Sequence, residues 1–397
     1  MLEIDQAQQH IYDAVEEIRS TDTISIADAH ERVLAKDIIS HMDVPPETNS
    51  AMDGFSVCIK DIKEVPTTLP VGQRIAAGDK ASPQIPQTAS RIFTGAVIPE
   101  NADAVVMQEN CEYNDDPFVT INKMPHLGEN IRIKGQDIAA DTCILEKGQK
   151  LQAQHIGLLA SIGQESVEVK RQICVSLLCT GDELVNPGDA LRPGQIYNSN
   201  QYMLASMLRS TGVKVKTVPA AADELDTIKD KLSILATTSD LIISTGGVSV
   251  GEEDHVKTAV EALGSLDLWK VNIKPGKPLA FGKIKSTRFL GLPGNPVSAF
   301  VTFAFFALPV IKKLQGQMLE SPFSITVPAC FEISKKKSRP ELMRVSVSNK
   351  GAEAFPNQSS GVLSSVTWSN ALALIPSQTL INEGDPVRIF PIDTLLK

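Results

Sequence analysis

A glycine-rich string, STGGVSVGEED, spans residues 244–254 and directly follows the apolar stretch DLII. Its glycines permit positive φ and a close approach of backbone to ligand, and a helix that begins after such a loop attracts anions. Three acids end the string, and carboxylates beside a phosphate repel it unless a cation bridges them. We therefore expect a ligand-binding loop with Asp254 as a Mg²⁺ ligand; the alternative is a plain glycine-rich turn. The loop residues expected to bind the ligand are Gly246, Gly247, Ser249 and Gly251.

A second acidic turn, CTGDEL, spans residues 179–184 and also follows an apolar stretch. Thr180 and Gly181 form the expected turn at the ligand, and Asp182 and Glu183 place two carboxylates directly after it. Ligands of α/β sheets bind outside the carboxyl ends of the strands, so acids that follow two strands can converge on one metal ion. We expect Glu183 to be the second metal ligand. A solvated turn or a helix N-cap is the alternative.

Two proline-stiffened strings follow, KPGKPLAFG at 274–282 and GLPGNPVSA at 291–299. Prolines restrict the backbone, so Lys274 and Lys277 are expected to be held in place, where ammonium groups suit a phosphate or an oxyanion. The surrounding residues 267–285 contain five lysines and one acid. The alternatives are a solvated basic hairpin for the first string and a merely rigid loop for the second. In the second string the expected ligand-binding residues are Pro293, Gly294 and Pro296.

The pattern around these strings predicts an α/β domain over residues 173–318. Continuous apolar runs typical of strands buried in a parallel sheet alternate with amphipathic helices. We expect one helix to be capped by Asn198 or Ser199, a second by Asp223, a third over 253–263 and a long apolar helix from Val297. This alternation is typical of a doubly wound α/β fold. The predicted strands are ICVSLLCT, VKVKTVPA, DLIIST and RFLGLPG.

The segments on either side of this predicted domain show other sequence patterns. Residues 3–20 carry an apolar stripe of helical period, and 151–163 predict another helix. Between them, residues 45–138 consist of short β-like strings separated by turn residues, which predicts a β-rich domain. Residues 319–397 predict a second β-rich domain. The remaining residues, 1–44 and 139–172, are predicted to form one discontinuous N-terminal domain.

Composition restricts the class of protein. Apolar residues make up 42% of the chain and charged residues 21%, as in a folded globular protein, and the net charge of −9 argues against a nucleic-acid partner. The start MLEIDQAQQH predicts no signal peptide, and the apolar run 297–311 is expected to be a buried helix rather than a membrane span. The six cysteines form no C-x-x-C pair and are too sparse for a disulfide framework, and four of them lie in apolar or β-like strings, where a cysteine is usually a small core residue. A cytoplasmic location follows from these features.

Taken together, the strings resemble the molybdopterin molybdenumtransferase family, which includes the bacterial molybdenum-insertion proteins and the C-terminal domain of gephyrin. The resemblance covers essentially the whole chain and combines the strings above with others in order: SAMDGFSV, RIFTGAVIP, NIRIKGQDI, YNSN and SRPELMR. It implies an elongated discontinuous α/β domain, a β-rich domain, the central molybdopterin-binding domain and a C-terminal β-barrel. Phe55 and His255 stand where the family often has phenols.

The resemblance also implies a reaction and its residues. Molybdate enters the dithiolene of molybdopterin-AMP with release of AMP, Mg²⁺ is the cofactor, and a homodimer shares each active site between its subunits. The molybdopterin adenylyltransferase and molybdoenzyme-specific chaperones are the implied protein partners. The implied catalytic residues are Asp53, Thr94, Asp137, Glu183, Asp223 and Asp254, and those implied to hold molybdate are Lys270, Lys274, Arg344 and Ser360, with Ser359 as an alternative to the last.

Two other functions stay open from the sequence alone. A related enzyme class adenylylates molybdopterin with an α/β domain that has the same glycine-rich loop, but it lacks the other three domains and the KPGKP and GLPGNP strings. A scaffold protein is the other alternative, since gephyrin also clusters receptors. The sequence does not distinguish molybdate from tungstate as the substrate.

Overall fold

The protein is a mixed α/β molecule in which two six-stranded sheets and one five-stranded sheet hold most of the strands. The computed structural model describes residues 2–114, 117–219, 224–247, 255–318 and 321–396. Strands and helices are numbered below in chain order.

The chain begins with helix α1, which spans Ile4–Ala14 and is followed by strands β1 (Thr21–Ser25) and β2 (Ile38–Ile39). The predicted helix over 3–20 is therefore too long, because the backbone becomes extended at Val15, with φ −104° and ψ 126°. Ala7 and Ile11 of α1 are buried in the core of the central α/β body.

The segment that was predicted to be β-rich holds eight strands. Six of them form a sheet of order β7-β4-β6-β5-β9-β8 around a small apolar core that includes Phe55, Val106 and Val119, and β3 pairs with β10. The strands are β3 (Asn49–Ser50), β4 (Gly54–Val57), β5 (Thr67–Ile75), β6 (Ala89–Ile92), β7 (Ala104–Met107), β8 (Cys111–Glu112), β9 (Phe118–Ile121) and β10 (Ile131–Arg132).

The next segment returns to the start of the chain. It contains β11 (Cys143–Leu145), α2 (Ala153–Ser161) and β12 (Ser166–Lys170). β12 pairs antiparallel with β1, and β11 pairs with β2. Residues on both sides of the β-rich segment are therefore hydrogen-bonded to one another. The predicted domain boundaries (1–44 with 139–172, 45–138, 173–318 and 319–397) stay predictions.

The central body is built on a six-stranded sheet of order β16-β13-β17-β20-β19-β18. β16, β13, β17 and β20 are parallel and correspond to the four predicted strands, whereas β19 runs antiparallel to both of its neighbours. Its elements are β13 (Cys174–Cys179), β14 (Leu184–Val185), β15 (Ile196–Tyr197), α3 (Ser199–Arg209), β16 (Lys214–Thr217), α4 (Leu225–Leu235), β17 (Leu241–Thr245), α5 (His255–Leu263), β18 (Gly264–Lys270), β19 (Pro278–Ile284), β20 (Thr287–Leu292), α6 (Pro296–Thr302) and α7 (Leu308–Leu314).

Helices cover both faces of this sheet. α3 and α6 pack on one face, where Leu204 and Val297 are buried, and α4 and α5 pack on the other, where Ile228 and Val256 are buried. Asn198 caps α3 as predicted, since its side chain accepts a hydrogen bond from the backbone of Gln201. The expected cap at Asp223 is wrong, because the N-cap residue of α4 is Glu224; Asp223 itself lies outside the described residues.

The apolar run after β20 forms one continuous helix over Pro296–Leu314, in which a π-helical turn, Phe303–Ala307, joins α6 to α7. By length and composition alone these 19 residues could cross a membrane. However, 83% of the most apolar window is buried inside the protein, as expected for a core helix. The side-chain amide of Gln8, on α1, donates a 2.7 Å hydrogen bond to the carbonyl of Phe305 within the π-helical turn.

The C-terminal body is a five-stranded antiparallel sheet of order β21-β25-β24-β22-β23. The sheet curls, because a bridge between Ala329 and Ala352 brings its two edges together. One side encloses its own apolar core, and the other packs Leu342, Leu372 and Phe390 against the central body. The elements are β21 (Ile325–Pro328), β22 (Glu341–Ser348), β23 (Gly351–Ala354), α8 (Ser364–Trp368), β24 (Ala371–Ile375), β25 (Pro386–Pro391) and α9 (Ile392–Leu395).

Candidate active site

A cleft of about 670 Å³ opens at the carboxyl ends of the parallel strands β13, β17 and β20. This is the edge at which α/β sheets bind their ligands. The structure brings together there the following predicted ligand-binding residues: Thr180, Glu183, Gly246, Gly247, Pro293, Gly294 and Pro296. A larger cleft of about 870 Å³ lies beside α1 and α7, and none of the predicted site residues lines it.

Two glycines of the cleft are required by the close approach of neighbouring loops. Gly246 has φ +89°, and a Cβ there would lie 2.5 Å from the carbonyl oxygen of Thr180. Gly247 has φ +63°, and a Cβ there would overlap the side chain of Val256. A larger residue at either position would strain the backbone and push the loops after β13 and β17 apart. The described start of the glycine-rich string is therefore closely packed against its neighbours at the edge of the cleft.

An asparagine that sequence reasoning did not single out ties the cleft together. The Nδ2 of Asn200 donates to the carbonyl oxygen of Gly294 at 2.6 Å and to the hydroxyl of Thr245 at 3.1 Å. The Thr245 hydroxyl in turn donates to the carbonyl oxygen of Pro293 at 3.1 Å. The string YNSN carried the only signal, since it ends in this residue, the second of α3. Within the described ranges, the Oγ1 of Thr180 and the Oδ1 of Asn200 are buried without a hydrogen-bond partner.

The predicted metal ligands are only partly described. Glu183 lines the cleft, is exposed, and folds back over Gly181. Asp254 lies outside the described residues, as do Asp223, Ser249 and Gly251. No group of three or more His, Cys, Asp or Glu side chains with metal-binding geometry occurs among residues that the structure describes. Mg²⁺ is commonly bound through one or two carboxylates together with substrate phosphates, and Glu183 fits the role of one such ligand.

The KPGKP string is the turn of a hairpin between β18 and β19. Lys270 ends β18 opposite Pro278, and Pro278 also lines the cleft. The string belongs to a hairpin, as in the alternative interpretation, but Lys274 is not simply solvated. As expected for a lysine that is held in place, its Nζ lies 2.9 Å from the Oε1 of Glu341. Lys277 is exposed. The sequence did not predict β18 and β19 as strands.

Arg344 is fully buried in the C-terminal body, with no solvent-exposed surface. Its Nε donates to the hydroxyl of Ser365 at 3.1 Å and its Nη2 to the carbonyl oxygen of Ser359 at 3.3 Å, while Nη1 has no partner in the described part of the chain. Burial lowers the pKa of Arg344, and the nearby Glu341 opposes that effect. An oxyanion can reach this guanidinium only if the covering segment around Ser359 moves.

Ser360 lies on that covering segment, between β23 and α8. Its carbonyl oxygen accepts a 3.1 Å hydrogen bond from the backbone N–H of Val297, in the first turn of α6. Gly361 and Leu363 line the cleft. The C-terminal body thus contributes one wall of the cleft, beside the GLPGNP turn.

Asp53 and Thr94 lie together in the β-rich segment. The Oδ1 of Asp53 accepts hydrogen bonds from the backbone N–H of Thr94 at 2.7 Å and from its hydroxyl at 2.8 Å. These two bonds hold the pKa of Asp53 below its ordinary value of 3.8, with a smaller contribution from the charge of Arg91. Asp137 is exposed on the loop after β10. None of these three residues is among the described residues that line the cleft.

Comparisons with known proteins agree with this arrangement. Residues 2–163 match the family described as the MoeA N-terminal region (domain I and II), residues 176–313 match a probable molybdopterin binding domain, and residues 326–392 match the MoeA C-terminal region (domain IV). Together they define a MoeA-type multidomain protein.

The chain belongs to the molybdopterin molybdenumtransferase family. It is 36% identical to the molybdopterin molybdenumtransferase of Haemophilus influenzae, with both chains covered completely. It is 31% identical to gephyrin of Dictyostelium discoideum over 95% of this chain and 60% of gephyrin. The crystal structure of a molybdopterin biosynthesis moeA protein from Pyrococcus horikoshii superposes with a TM-score of 0.87 at 26% identity, covering 98% of this chain and all of that one.

Proposed function

We propose that this protein inserts molybdate into molybdopterin-AMP and releases AMP, which completes the molybdenum cofactor. The observation that carries the proposal is the cleft at the carboxyl edge of the central sheet, in a chain that matches a molybdenumtransferase along its whole length. Its glycine loops allow a flat heterocycle and phosphates to approach the backbone. Pro278 of the KPGKP hairpin lines the cleft, and the lysines of the same hairpin suit an oxyanion.

Each group of residues has a role in this proposal. Thr180, Gly181, Gly246, Gly247, Ser249 and Gly251 bind the pterin nucleotide, together with Lys277, Pro293, Gly294 and Pro296. Glu183 and Asp254 hold Mg²⁺, which would supply charge stabilisation at the phosphates as AMP leaves. Lys270, Lys274, Arg344 and Ser360 hold molybdate, and Asp223 is a further acid of the central body.

The proposal extends to a homodimer in which each cleft receives Asp53, Thr94 and Asp137 from the β-rich domain of the other subunit. The support is that Asp53 and Thr94 are paired with each other on a different body from the cleft of their own chain. An active site that spans two copies would give this pair a function. The β-rich body would then be the second domain of the family, the discontinuous segment its elongated domain and the curled C-terminal sheet its β-barrel.

The cellular setting is part of the same proposal. A cytoplasmic enzyme would receive its substrate from a molybdopterin adenylyltransferase and would pass the product to molybdoenzymes or their chaperones. Nucleic acid and membranes have no role in it, since the chain carries a net charge of −9 and the apolar helix Pro296–Leu314 is mostly buried.

Mass spectrometry of reaction mixtures tests the proposal against the related adenylyltransferase activity. With molybdopterin-AMP, molybdate and Mg²⁺, we expect loss of the adenylylated pterin and appearance of AMP. With ATP and molybdopterin instead, we expect no adenylylated pterin. Adenylylation in the second mixture without AMP release in the first would replace the proposal with the alternative.

A further inference from the structure

A buried acid lies where the KPGKP hairpin meets the C-terminal body. Glu341, the first residue of β22, is only 1% exposed. One carboxylate oxygen lies 2.9 Å from the Nζ of Lys274, and the other contacts the Nζ of Lys337. A buried carboxylate is costly unless it is paired, so this contact is a specific feature of the junction.

The backbone joins the same two segments. The N–H of Lys274 donates to the carbonyl oxygen of Pro340 at 3.0 Å, and the N–H of Leu342 donates to the carbonyl oxygen of Lys274 at 2.8 Å. The guanidinium of Arg339 adds a 3.0 Å bond to the carbonyl oxygen of Ile273. The main chain of Lys274 is therefore fixed on the C-terminal body.

Main-chain bonds do not fix the ammonium group, because the four-carbon stem of a lysine leaves it several rotamers. The side chain of Lys274 is 43% exposed. Among the described contacts, its salt bridge to Glu341 is the one that selects a rotamer. The ion pair therefore favours one position of the ammonium. In sequence, Lys274 precedes Pro278, which lines the cleft, by four residues.

We propose that Glu341 is a positioning residue that holds the ammonium of Lys274 where it receives the oxyanion substrate. The inference rests on the proposed function, because it takes molybdate as the ligand of Lys274. Glu341 itself does not touch the substrate. It links the C-terminal body to the oxyanion end of the cleft.

The charges of the cluster agree with this role. Burial alone would raise the pKa of Glu341, but the neighbouring ammonium groups of Lys274 and Lys337 lower it below its ordinary value of 4.5, so the carboxylate stays ionised at neutral pH. Two lysines share one carboxylate, which leaves one net positive charge. The cluster therefore still attracts an anion while its geometry is fixed.

The test combines lysine labelling with kinetics in the full-length protein. In Glu341→Gln we expect Lys274 to be acetylated several-fold faster than in the unmodified chain, measured by mass spectrometry of its peptide, because the ion pair no longer restrains it. We also expect the molybdate KM to rise about tenfold with a much smaller change in kcat, as for loss of a hydrogen bond to a charged group. Glu341→Asp keeps the charge on a shorter side chain and should change the acetylation rate and the molybdate KM less. This variant keeps the test informative if Glu341→Gln does not fold.

A double-mutant cycle separates positioning from general stability. If Glu341 acts through Lys274, adding Glu341→Gln to Lys274→Ala should leave the molybdate KM of Lys274→Ala unchanged. The matched control, Lys337→Met, removes the other partner of Glu341 and should change the molybdate KM by less than the Gln variant does. An unchanged labelling rate, or an effect of Glu341→Gln that persists in the Lys274→Ala background, would overturn the inference. Both outcomes leave the proposed function intact as long as the unsubstituted protein inserts molybdate, whereas an inactive unsubstituted protein would contradict the proposed function itself.

Discussion

Single residues determine the charge of the β-rich part of the proposed site, and Asp53 is the clearest case. Its carboxylate accepts two hydrogen bonds from Thr94, one from the backbone and one from the side chain. Bonds of this kind favour the ionised form of a carboxyl group and lower its pKa. Asp53 therefore stays an anion well into the acid range.

Removing the side-chain hydroxyl of Thr94 tests its effect on the pKa of Asp53. In Thr94→Val the pKa of Asp53 should rise toward 3.8 without reaching it, because the backbone N–H still donates. A folded-state pKa below the unfolded value means that the contribution to stability is present above the unfolded value of about 3.9 and is lost as pH falls through the folded value. As pH falls through this range, the free energy of unfolding should therefore decrease less in Thr94→Val than in the unsubstituted protein.

Carboxyl chemical shifts of Asp53, followed by NMR during an acid titration, measure this pKa. The matched control is Thr94→Ser, which keeps a hydroxyl and should keep the low pKa. Equal pKa values in the Val and Ser variants would show that the side-chain bond does not matter.

At the scale of elements, the long apolar helix depends on a polar contact from outside. Its π-helical turn, Phe303–Ala307, interrupts the regular backbone ladder, and Gln8 of α1 donates to the carbonyl oxygen of Phe305. α1 is thereby tied to the helix that leads away from the cleft. A buried carbonyl that loses its partner is costly.

Gln8→Ala should lower the free energy of unfolding by about 1 to 3 kcal/mol, measured by urea denaturation. The neighbouring Gln9 is a matched control, because it is exposed and, in the part of the chain that the structure describes, its side chain bonds to Asp13 within α1. Gln9→Ala should change stability by less than about 0.5 kcal/mol. Equal effects of the two substitutions would mean that the π-helical turn does not need its partner.

The elements also show what the sequence could and could not predict. The four parallel strands followed from apolar runs bounded by turn residues, and the cap at Asn198 followed from its residue type. β18 and β19 were missed because the prolines and lysines of KPGKP suggested a loop. The π-helical turn was hidden because a run of uniformly apolar residues has no periodicity from which a change of phase could be detected.

At the scale of the whole molecule, the local chemistry of the cleft residues was predictable but the partners were not. Glycines and acids after strands indicate a ligand edge, and the structure does bring Glu183, Gly246 and Gly294 to one cleft. The pairing of Lys274 with Glu341 joins residues far apart in sequence, and no local pattern encodes it. Asp53, Thr94 and Asp137 looked like ordinary turn residues, and only the family resemblance suggested a role for them.

The proposed sharing of sites between subunits predicts complementation. Asp53→Ala and Glu183→Ala should each be inactive alone, since one lacks a β-rich acid and the other a cleft acid. After subunit exchange, about a quarter of all sites should carry neither substitution, because half of the dimers are mixed and each mixed dimer has one intact site. The rate of AMP release should therefore recover to about a quarter of that of the unsubstituted protein. No recovery after exchange confirmed by native mass spectrometry would place each complete site within one chain.

Molybdate-dependent release of AMP from molybdopterin-AMP is the measurement that tests the central claim most directly. In a single turnover with Mg²⁺, AMP and pterin-bound molybdenum should appear together in equal amounts, quantified by chromatography and elemental mass spectrometry of the separated pterin. Without molybdate, AMP release should fall at least tenfold, a difference of about 1.4 kcal/mol or more in the barrier. AMP release at the same rate without molybdate, or release that leaves no molybdenum on the pterin, would contradict the assignment of this protein as the enzyme that inserts the metal.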